Sequence, residues 1–163
     1  MDFDEFGFLT PPEVIEIDLA TFRTKFVFNQ NRWLLHDTYM SFLTMLNGWK
    51  MGSFRQWIDG SFVTSKTNPN DLDIVTFLQF VDYEKYQPQF AEIERQFRGN
   101  LDLYWVSDFP PTHQHHFKTL FDELEWRTLF NRSRPDLLGD IYPKGFIEMM
   151  LMCRWKIRNP IQI

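Results

Sequence analysis

Residues 57–75 read WIDGSFVTSKTNPNDLDIV, and this stretch decides the fold. A short aromatic run predicts a strand over residues 54–59, and the apolar-rich run 72–81 predicts a second strand beyond a polar loop. Glycine at position 60, directly after a strand, lets a phosphate approach the backbone. Ser61 adds a hydroxyl and, where a helical turn begins, free N–H groups that attract an anion. The stretch therefore predicts two strands joined by a turn that can hold a triphosphate.

The second predicted strand carries two acidic residues, Asp71 and Asp73. Because they are two apart on a strand, both carboxylates project from one face while their apolar neighbours pack on the other. Such carboxylates repel each other unless a cation bridges them, and hard oxygen ligands beside a phosphate favour Mg²⁺. Two such ions roughly 3.5–4 Å apart can activate an attacking oxygen and stabilise a leaving one. Asp102, which alternates with apolar residues on a third predicted strand over 101–106, is the candidate third ligand.

These residues resemble the nucleotidyltransferase superfamily of the DNA polymerase β type. Its pattern begins with a hydrophobic residue and Gly followed by Gly or Ser. After a spacer of about ten residues come Asp-hydrophobic-Asp-hydrophobic and, later in the chain, a third carboxylate. Here residues 58–61 read IDGS and residues 71–74 read DLDI, with nine residues between them. The chain is also similar to short, minimal prokaryotic members with a later Pro-Lys-Gly, here residues 143–145. This wider resemblance runs from about residue 9 to residue 150.

The resemblance implies a single domain over residues 1–163, of the α/β (α+β) class, with a mixed central sheet and helices packed mainly on one side. It also implies in-line attack on the α-phosphorus of a nucleoside triphosphate with loss of pyrophosphate. Asp71 and Asp73 would bind two Mg²⁺ ions. Asp102 would bind the catalytic ion and help to deprotonate the acceptor.

The same resemblance assigns the phosphates to the turn after the first strand. Gly60 and Ser61 would hold the β- and γ-phosphates, and Thr64 and Lys66 are further candidates for phosphate contacts. A solvated position for Lys66 in a polar loop is the alternative. Asp59, beside the glycine, is left open between a turn residue and a charge that tunes the site.

Composition limits the classes of protein. The chain has 163 residues, close to one ordinary domain, and 22 acidic against 17 basic residues give a net charge of −5. An acidic surface disfavours non-specific nucleic-acid binding. Residues 127–163 nevertheless hold seven basic against three acidic residues. This basic segment can face a phosphate-bearing ligand or an acidic partner, or simply be solvated beside an acidic body.

Cysteine usage and the termini point to a cytoplasmic protein. Cys153 is the single cysteine, which excludes an intramolecular disulfide and fits a reducing compartment. The acidic start, MDFDE, lacks the basic region of a signal peptide, and the apolar run 146–153 is interrupted by Glu148. Neither export nor membrane spanning is expected.

Helices are predicted around the strands. Asp18 is a candidate N-cap, the apolar spacing over 31–47 predicts a long helix ending at Gly48, and a third helix is predicted to stop at Gly99. Thr112 is the candidate N-cap of a fourth helix, and residues 146–153 fit either a strand or a buried helix. The fourth helix carries an apolar stripe, and the 18 phenylalanines are assigned almost entirely to the core. The stripe comprises Phe117, Leu120, Phe121 and Leu124.

Three functions are open at this stage. The first is a Mg²⁺-dependent transfer of an NMP group, AMP from ATP above all, to a protein acceptor, because 163 residues leave no room for a nucleic-acid-binding domain. Minimal members of the resembled superfamily include antitoxins that modify a helical ribonuclease toxin, so the chain is expected in a toxin–antitoxin or phage-defence pair. The second is nucleotide addition to an RNA 3′ end. The third is a non-catalytic antitoxin or interaction module.

Overall fold

The structure, a computed structural model, describes residues 1–152. Within them the chain forms a two-stranded hairpin, a five-stranded mixed sheet and four α-helices. The strands are β1 (Asp2–Phe3), β2 (Leu9–Thr10), β3 (Val14–Glu16), β4 (Ser53–Asp59), β5 (Leu72–Gln79), β6 (Leu101–Asp108) and β7 (Phe146–Met152). The helices are α1 (Leu19–Phe26), α2 (Gln30–Asn47), α3 (Phe80–Phe97) and α4 (His116–Phe130).

The five-stranded sheet has the order β3-β7-β4-β5-β6. The pairs β3–β7 and β5–β6 are parallel, and β4 is antiparallel to both of its neighbours. The alternative left open for residues 146–153 is settled as a strand over Phe146–Met152, while Cys153 and the basic residues after it lie outside the described residues. The prediction of a mixed sheet in an α+β domain is confirmed.

The two faces of the sheet are covered unequally. The larger core lies on one face, where the buried side chains of α1, α2 and α3 pack against the apolar residues of β5 and β6. The other face carries a smaller cluster around Trp57, Val75 and Phe77, closed by Phe130 of α4. Since three of the four helices in residues 1–152 lie on the first face, the expected one-sided packing is confirmed.

Local signals explain the starts of the first two helices. Asp18 accepts a hydrogen bond from the Thr21 amide at 2.7 Å, and Asn29 accepts one from the Arg32 amide at 3.0 Å. Both are side-chain N-caps that satisfy an amide left unpaired in the first turn. The predicted cap at Asp18 and the long helix ending before Gly48 are confirmed.

Two predicted boundaries are wrong. The strand expected over 72–81 ends at Gln79, because α3 begins directly at Phe80. Thr112 does not cap the fourth helix, which starts at His116. A turn precedes that helix, with the His113 amide bonded to the Pro110 carbonyl at 2.8 Å. The same turn brings the His113 ring against the Phe80 ring at a tilted angle, with 4.8 Å between the ring centroids.

The apolar stripe of α4 is not in the core. Phe117, Leu120, Phe121 and Leu124 are each more than half exposed, whereas the buried residues of the helix are Thr119 and Phe130. The assignment of nearly all phenylalanines to the core is wrong for this helix, since α4 turns its more apolar side to solvent. In residues 1–152 no helix is both long and apolar enough to cross a bilayer.

Candidate active site

Three acidic residues form one row across neighbouring strands. The register pairs Asp59 of β4 with Asp73 of β5, and Asp73 with Asp102 of β6. Residues that are directly opposite on adjacent strands share a face of the sheet, so the three carboxylates lie side by side. Asp59 is buried, Asp73 is half-buried and Asp102 is exposed, so the row leads from the interior to solvent. Asp71, half-buried, immediately precedes β5.

The charges in and around this row act on one another. The pKa of Asp73 is raised to about 6, first by burial and then by the negative charges of Asp71 and Asp102. The cations Arg134 and Lys144 oppose that rise. The three acidic residues predicted from the sequence are thus brought into one electrostatic group, and two basic residues of the segment between α4 and β7 lie close enough to influence it.

Gly60 packs its backbone directly against this group. Its φ of +82° is in the left-handed region that side-chain-bearing residues avoid. A Cβ atom at this position would lie 2.1 Å from Oδ2 of Asp73. Both the turn and the close approach therefore require glycine, and a group bound at the Gly60 backbone would lie beside the Asp73 carboxylate.

The loop after Gly60 is fixed by a buried cation. Residues Ser61–Val63 form a short 3₁₀ turn, which matches the helical turn considered at Ser61 from the sequence. The guanidinium of Arg32, fully buried, donates to the Phe26 carbonyl at 2.9 Å and to four carbonyls of the loop. Those loop carbonyls belong to residues 61, 62, 64 and 66, at distances of 2.6–3.4 Å.

Arg32 has an unusual charge balance. Burial lowers its pKa to about 10. Among residues 1–152 the ion pairs join other basic and acidic side chains, so carbonyl dipoles compensate Arg32 in place of a carboxylate. A buried cation of this kind behind a turn makes the turn favourable for an anion. Sequence reasoning missed Arg32, because a basic residue inside a helical pattern reads as solvated.

The two further candidates for phosphate contacts differ in what they do. The Thr64 hydroxyl donates to the Ser61 carbonyl at 2.8 Å and accepts from the Lys66 amide at 3.2 Å, so it stabilises the loop. Lys66 is exposed, and its carbonyl is one of the acceptors for Arg32. The side chain of Asn29 adds a further tie, since its amide donates to the Thr67 carbonyl at 2.7 Å.

The Pro-Lys-Gly segment closes the inner end of the row. The Lys144 ammonium forms an ion pair with Asp59, and each residue is only 6% exposed. Burial raises the pKa of Asp59, and the charge of Lys144 opposes this rise. The Asn131 side-chain amide donates to the Lys144 carbonyl at 3.0 Å and holds the segment in place. The open choice for Asp59 is thereby resolved, because it is the buried partner of a lysine 85 residues away.

A family model matches residues 1–150 of the chain, and its description is "Family of unknown function (DUF6932)". The chain belongs to this family. No curated protein and no solved structure matches it. In this DUF6932 chain the matched region contains the whole acidic row, the Gly60 turn and the Lys144 segment.

The acidic residues of the DUF6932 chain suit a hard cation by their chemistry. Carboxylate oxygens are the ligands that Mg²⁺ prefers, and the pKa of Asp73 is raised first by burial and second by the neighbouring charges of Asp71 and Asp102. Among residues 1–152, no three His, Cys, Asp or Glu side chains are arranged as a closed metal site.

Proposed function

We propose that this protein is a Mg²⁺-dependent nucleotidyltransferase that moves an NMP group, AMP from ATP, to a protein acceptor. One observation carries the proposal. Asp73 is in register with Asp102 on one side, and its carboxylate packs against the Gly60 backbone on the other. Carboxylates and a phosphate-accepting turn at the same point of a sheet are what transfer of a phosphate-linked group requires.

The turn supplies the phosphate-binding side of the site. Gly60 has no side chain to exclude a ligand, and Ser61 starts a 3₁₀ turn with a half-buried hydroxyl. Arg32 fixes this loop through the Phe62 and Thr64 carbonyls, and the amides of the same two peptide groups are bonded to the Gly60 and Gly7 carbonyls. The β- and γ-phosphates of ATP are therefore assigned to Gly60 and Ser61, with Lys66 as an exposed cation nearby.

Asp73 and Asp102 of the acidic row, together with the neighbouring Asp71, are assigned to the reacting end of the nucleotide. Asp71, Asp73 and Asp102 would hold Mg²⁺, which activates an attacking oxygen and stabilises charge on the leaving group. The acceptor hydroxyl oxygen bonds to the α-phosphorus, the bond from that phosphorus to the pyrophosphate oxygen breaks, and pyrophosphate leaves with the electron pair. Asp102 takes the hydroxyl proton, because it is the carboxylate of the row that is exposed to an incoming acceptor.

A protein is the favoured acceptor. The net charge of −5 repels the phosphate backbone of RNA. A helical ribonuclease toxin in a toxin–antitoxin or phage-defence pair is the acceptor that the sequence resemblance implies, and we retain it as part of the proposal.

The test is transfer of label from ATP labelled at the α-phosphate to a purified helical ribonuclease toxin. We expect Mg²⁺-dependent labelling of the ribonuclease, and its loss in Asp73→Asn and Asp102→Asn. Asp37→Asn, which changes an exposed aspartate on α2, is the matched control and should label normally. Labelling that persists in Asp73→Asn would remove the acidic row from the mechanism. Label that appears in added RNA instead would favour nucleotide addition to a 3′ end.

A further inference from the structure

The helix α4 presents an apolar surface that the described residues leave uncovered. Phe117, Leu120, Phe121 and Leu124 are 52%, 53%, 67% and 61% exposed. Their spacing of three and four residues places them in one stripe along the helix. Single exposed apolar residues are ordinary, but a contiguous stripe with two phenylalanines marks an interaction surface. We call these four residues the α4 stripe.

The α4 stripe points away from its own domain. Thr119 is buried and donates to the Ser107 carbonyl at 3.3 Å, and Phe130 is buried against Phe146. At 100° per residue, both lie on the side of the helix opposite the stripe. The helix is therefore already anchored to the sheet by its other side, and the stripe is free to contact a second molecule.

Charges beside the stripe indicate what that molecule is. Lys118 and Glu125 are both exposed and lie seven residues apart, which places them on the same flank of the helix about 10 Å from each other. In the part of the chain that the structure describes, neither forms an ion pair. Asp122, half-buried between them, interacts with both, so the flank is positive at Lys118 and negative toward Glu125. An antiparallel copy of the same helix is complementary to that order of charges.

We propose that two copies of this chain associate through α4, packed antiparallel about a twofold axis that passes near Phe121. This register places Lys118 of each copy opposite Glu125 of the other and brings the two Phe121 rings together at the centre. A parallel arrangement would place the two flanks on opposite sides of the interface, where Lys118 and Glu125 could not pair. The antiparallel contact is closed and uses the same patch on both subunits, which is the commonest form of symmetric dimer.

The size of the stripe sets the expected strength. A standard stable interface buries about 800 Å² per partner, and one helix face of four apolar residues supplies less than that. The dimer is therefore expected to dissociate in the micromolar range, on the order of 1–100 μM. This inference does not depend on the proposed enzymatic function.

The experiment is sedimentation equilibrium of the full chain from low micromolar to near-millimolar concentration. We expect a monomer–dimer equilibrium for the wild type and a monomer for Phe121→Glu. Leu34→Glu is the matched control, because Leu34 is a similarly exposed apolar residue on α2, and it should leave the dimer intact. Circular dichroism would show that each variant is folded.

A charge swap identifies the antiparallel register. Lys118→Glu and Glu125→Lys should each weaken the dimer about tenfold. The dimer has two Lys118–Glu125 contacts, and either substitution turns both into pairs of like charges. The double variant K118E/E125K should return to within about twofold of the wild type, since complementarity is restored. A wild type that remains monomeric at every concentration, as expected if the final residues 153–163 or another protein cover the stripe, overturns the proposal. So does a dimer that Phe121→Glu leaves unchanged, or a double variant no stronger than the single ones.

Discussion

At the scale of single residues, the ionised Asp73 carboxylate lowers the free energy of unfolding, and a bound cation would raise it again. The pKa of Asp73 is about 6 in the folded protein against an ordinary value of 3.8, so folding favours the protonated form. The cost is absent below pH 4, grows as pH rises from about 4 to 6, and is complete above that range. The ionised Asp73 carboxylate therefore lowers the stability of the free protein above about pH 6.

Asp73→Asn should stabilise the free protein at pH 8. We expect the free energy of unfolding to rise by about 1–2 kcal/mol at that pH, after allowance for partial solvent access, and to change little at pH 4. Urea denaturation at the two pH values measures this, with Asp37→Asn as the control. A variant no more stable than the wild type at pH 8 would mean that the carboxylates do not repel one another.

Gly60 can be tested against another glycine whose φ is positive. Gly99 has φ of +93° and open space where a Cβ would lie, whereas a Cβ on Gly60 would meet the Asp73 carboxylate. Gly99→Ala should cost only the conformational term, on the order of 1–2 kcal/mol. Gly60→Ala should cost more than that and also weaken binding of ATP with Mg²⁺. Equal losses of stability in the two variants, with unchanged nucleotide affinity, would contradict a close approach at Gly60.

The buried pair of Asp59 and Lys144 should behave as one unit. Lys144→Met leaves a carboxylate buried without its cation, and we expect a loss of about 3–5 kcal/mol in the free energy of unfolding. Combining it with Asp59→Asn should recover most of that loss, because no buried charge remains. Additive losses in this double-mutant cycle, measured by chemical denaturation, would rule out the direct pairing.

At the scale of elements, sequence reasoning succeeded where a local pattern carries the information. Strand alternation placed Asp73 and Asp102 on one face, and the Gly60-Ser61 pair placed the turn. It failed where a contact joins distant parts of the chain. Arg32 reaches the Phe62 carbonyl 30 residues away, so no local spacing marks it. The Pro-Lys-Gly resemblance marks Lys144, but no local spacing identifies Asp59, 85 residues away, as its partner. The assignment of the α4 phenylalanines to the core was wrong for a related reason. Periodicity shows that a helix has an apolar face but does not show what covers that face.

Helix α2 contains a buried histidine with its own pH dependence. His36 is packed near Phe22 and Trp33, and burial is the main reason that its pKa falls to about 4 from 6.5. Its Nε2 has no hydrogen-bond partner among the described residues. The unfolded chain binds a proton that the folded one excludes, so stability is complete above pH 6.5 and decreases as pH falls toward 4.

His36→Leu should remove that dependence. We expect the variant to gain about 1–2 kcal/mol relative to the wild type at pH 5 over any difference at pH 8, because leucine takes no proton in either state. Chemical denaturation at both pH values measures the difference. A wild type whose stability responds to pH in the same way as the variant would show that His36 is not shielded in solution.

At the scale of the whole molecule, the response of stability to ATP and Mg²⁺ distinguishes a nucleotidyltransferase from a module that acts only by contact. The proposed phosphate turn at Gly60 lies against Asp73 of the acidic row, so ATP and Mg²⁺ bound there would neutralise each other's charge. Together they should stabilise the fold cooperatively. A module that acts only by contact has no reason to retain this response.

Saturating ATP with Mg²⁺ should therefore raise the melting temperature by roughly 5–10 °C. This follows from about 2.7 kcal/mol of linked binding at a hundredfold excess over Kd, spread over a chain of this size. Differential scanning fluorimetry in the presence of ATP alone, Mg²⁺ alone and both, with KCl at matched ionic strength, measures it. The response should require both ligands and be lost in Asp73→Asn while Asp37→Asn retains it. No shift in the wild type would leave the acidic row without a nucleotide and would favour the non-catalytic module, whereas an equal shift in Asp73→Asn would place the nucleotide elsewhere on the protein.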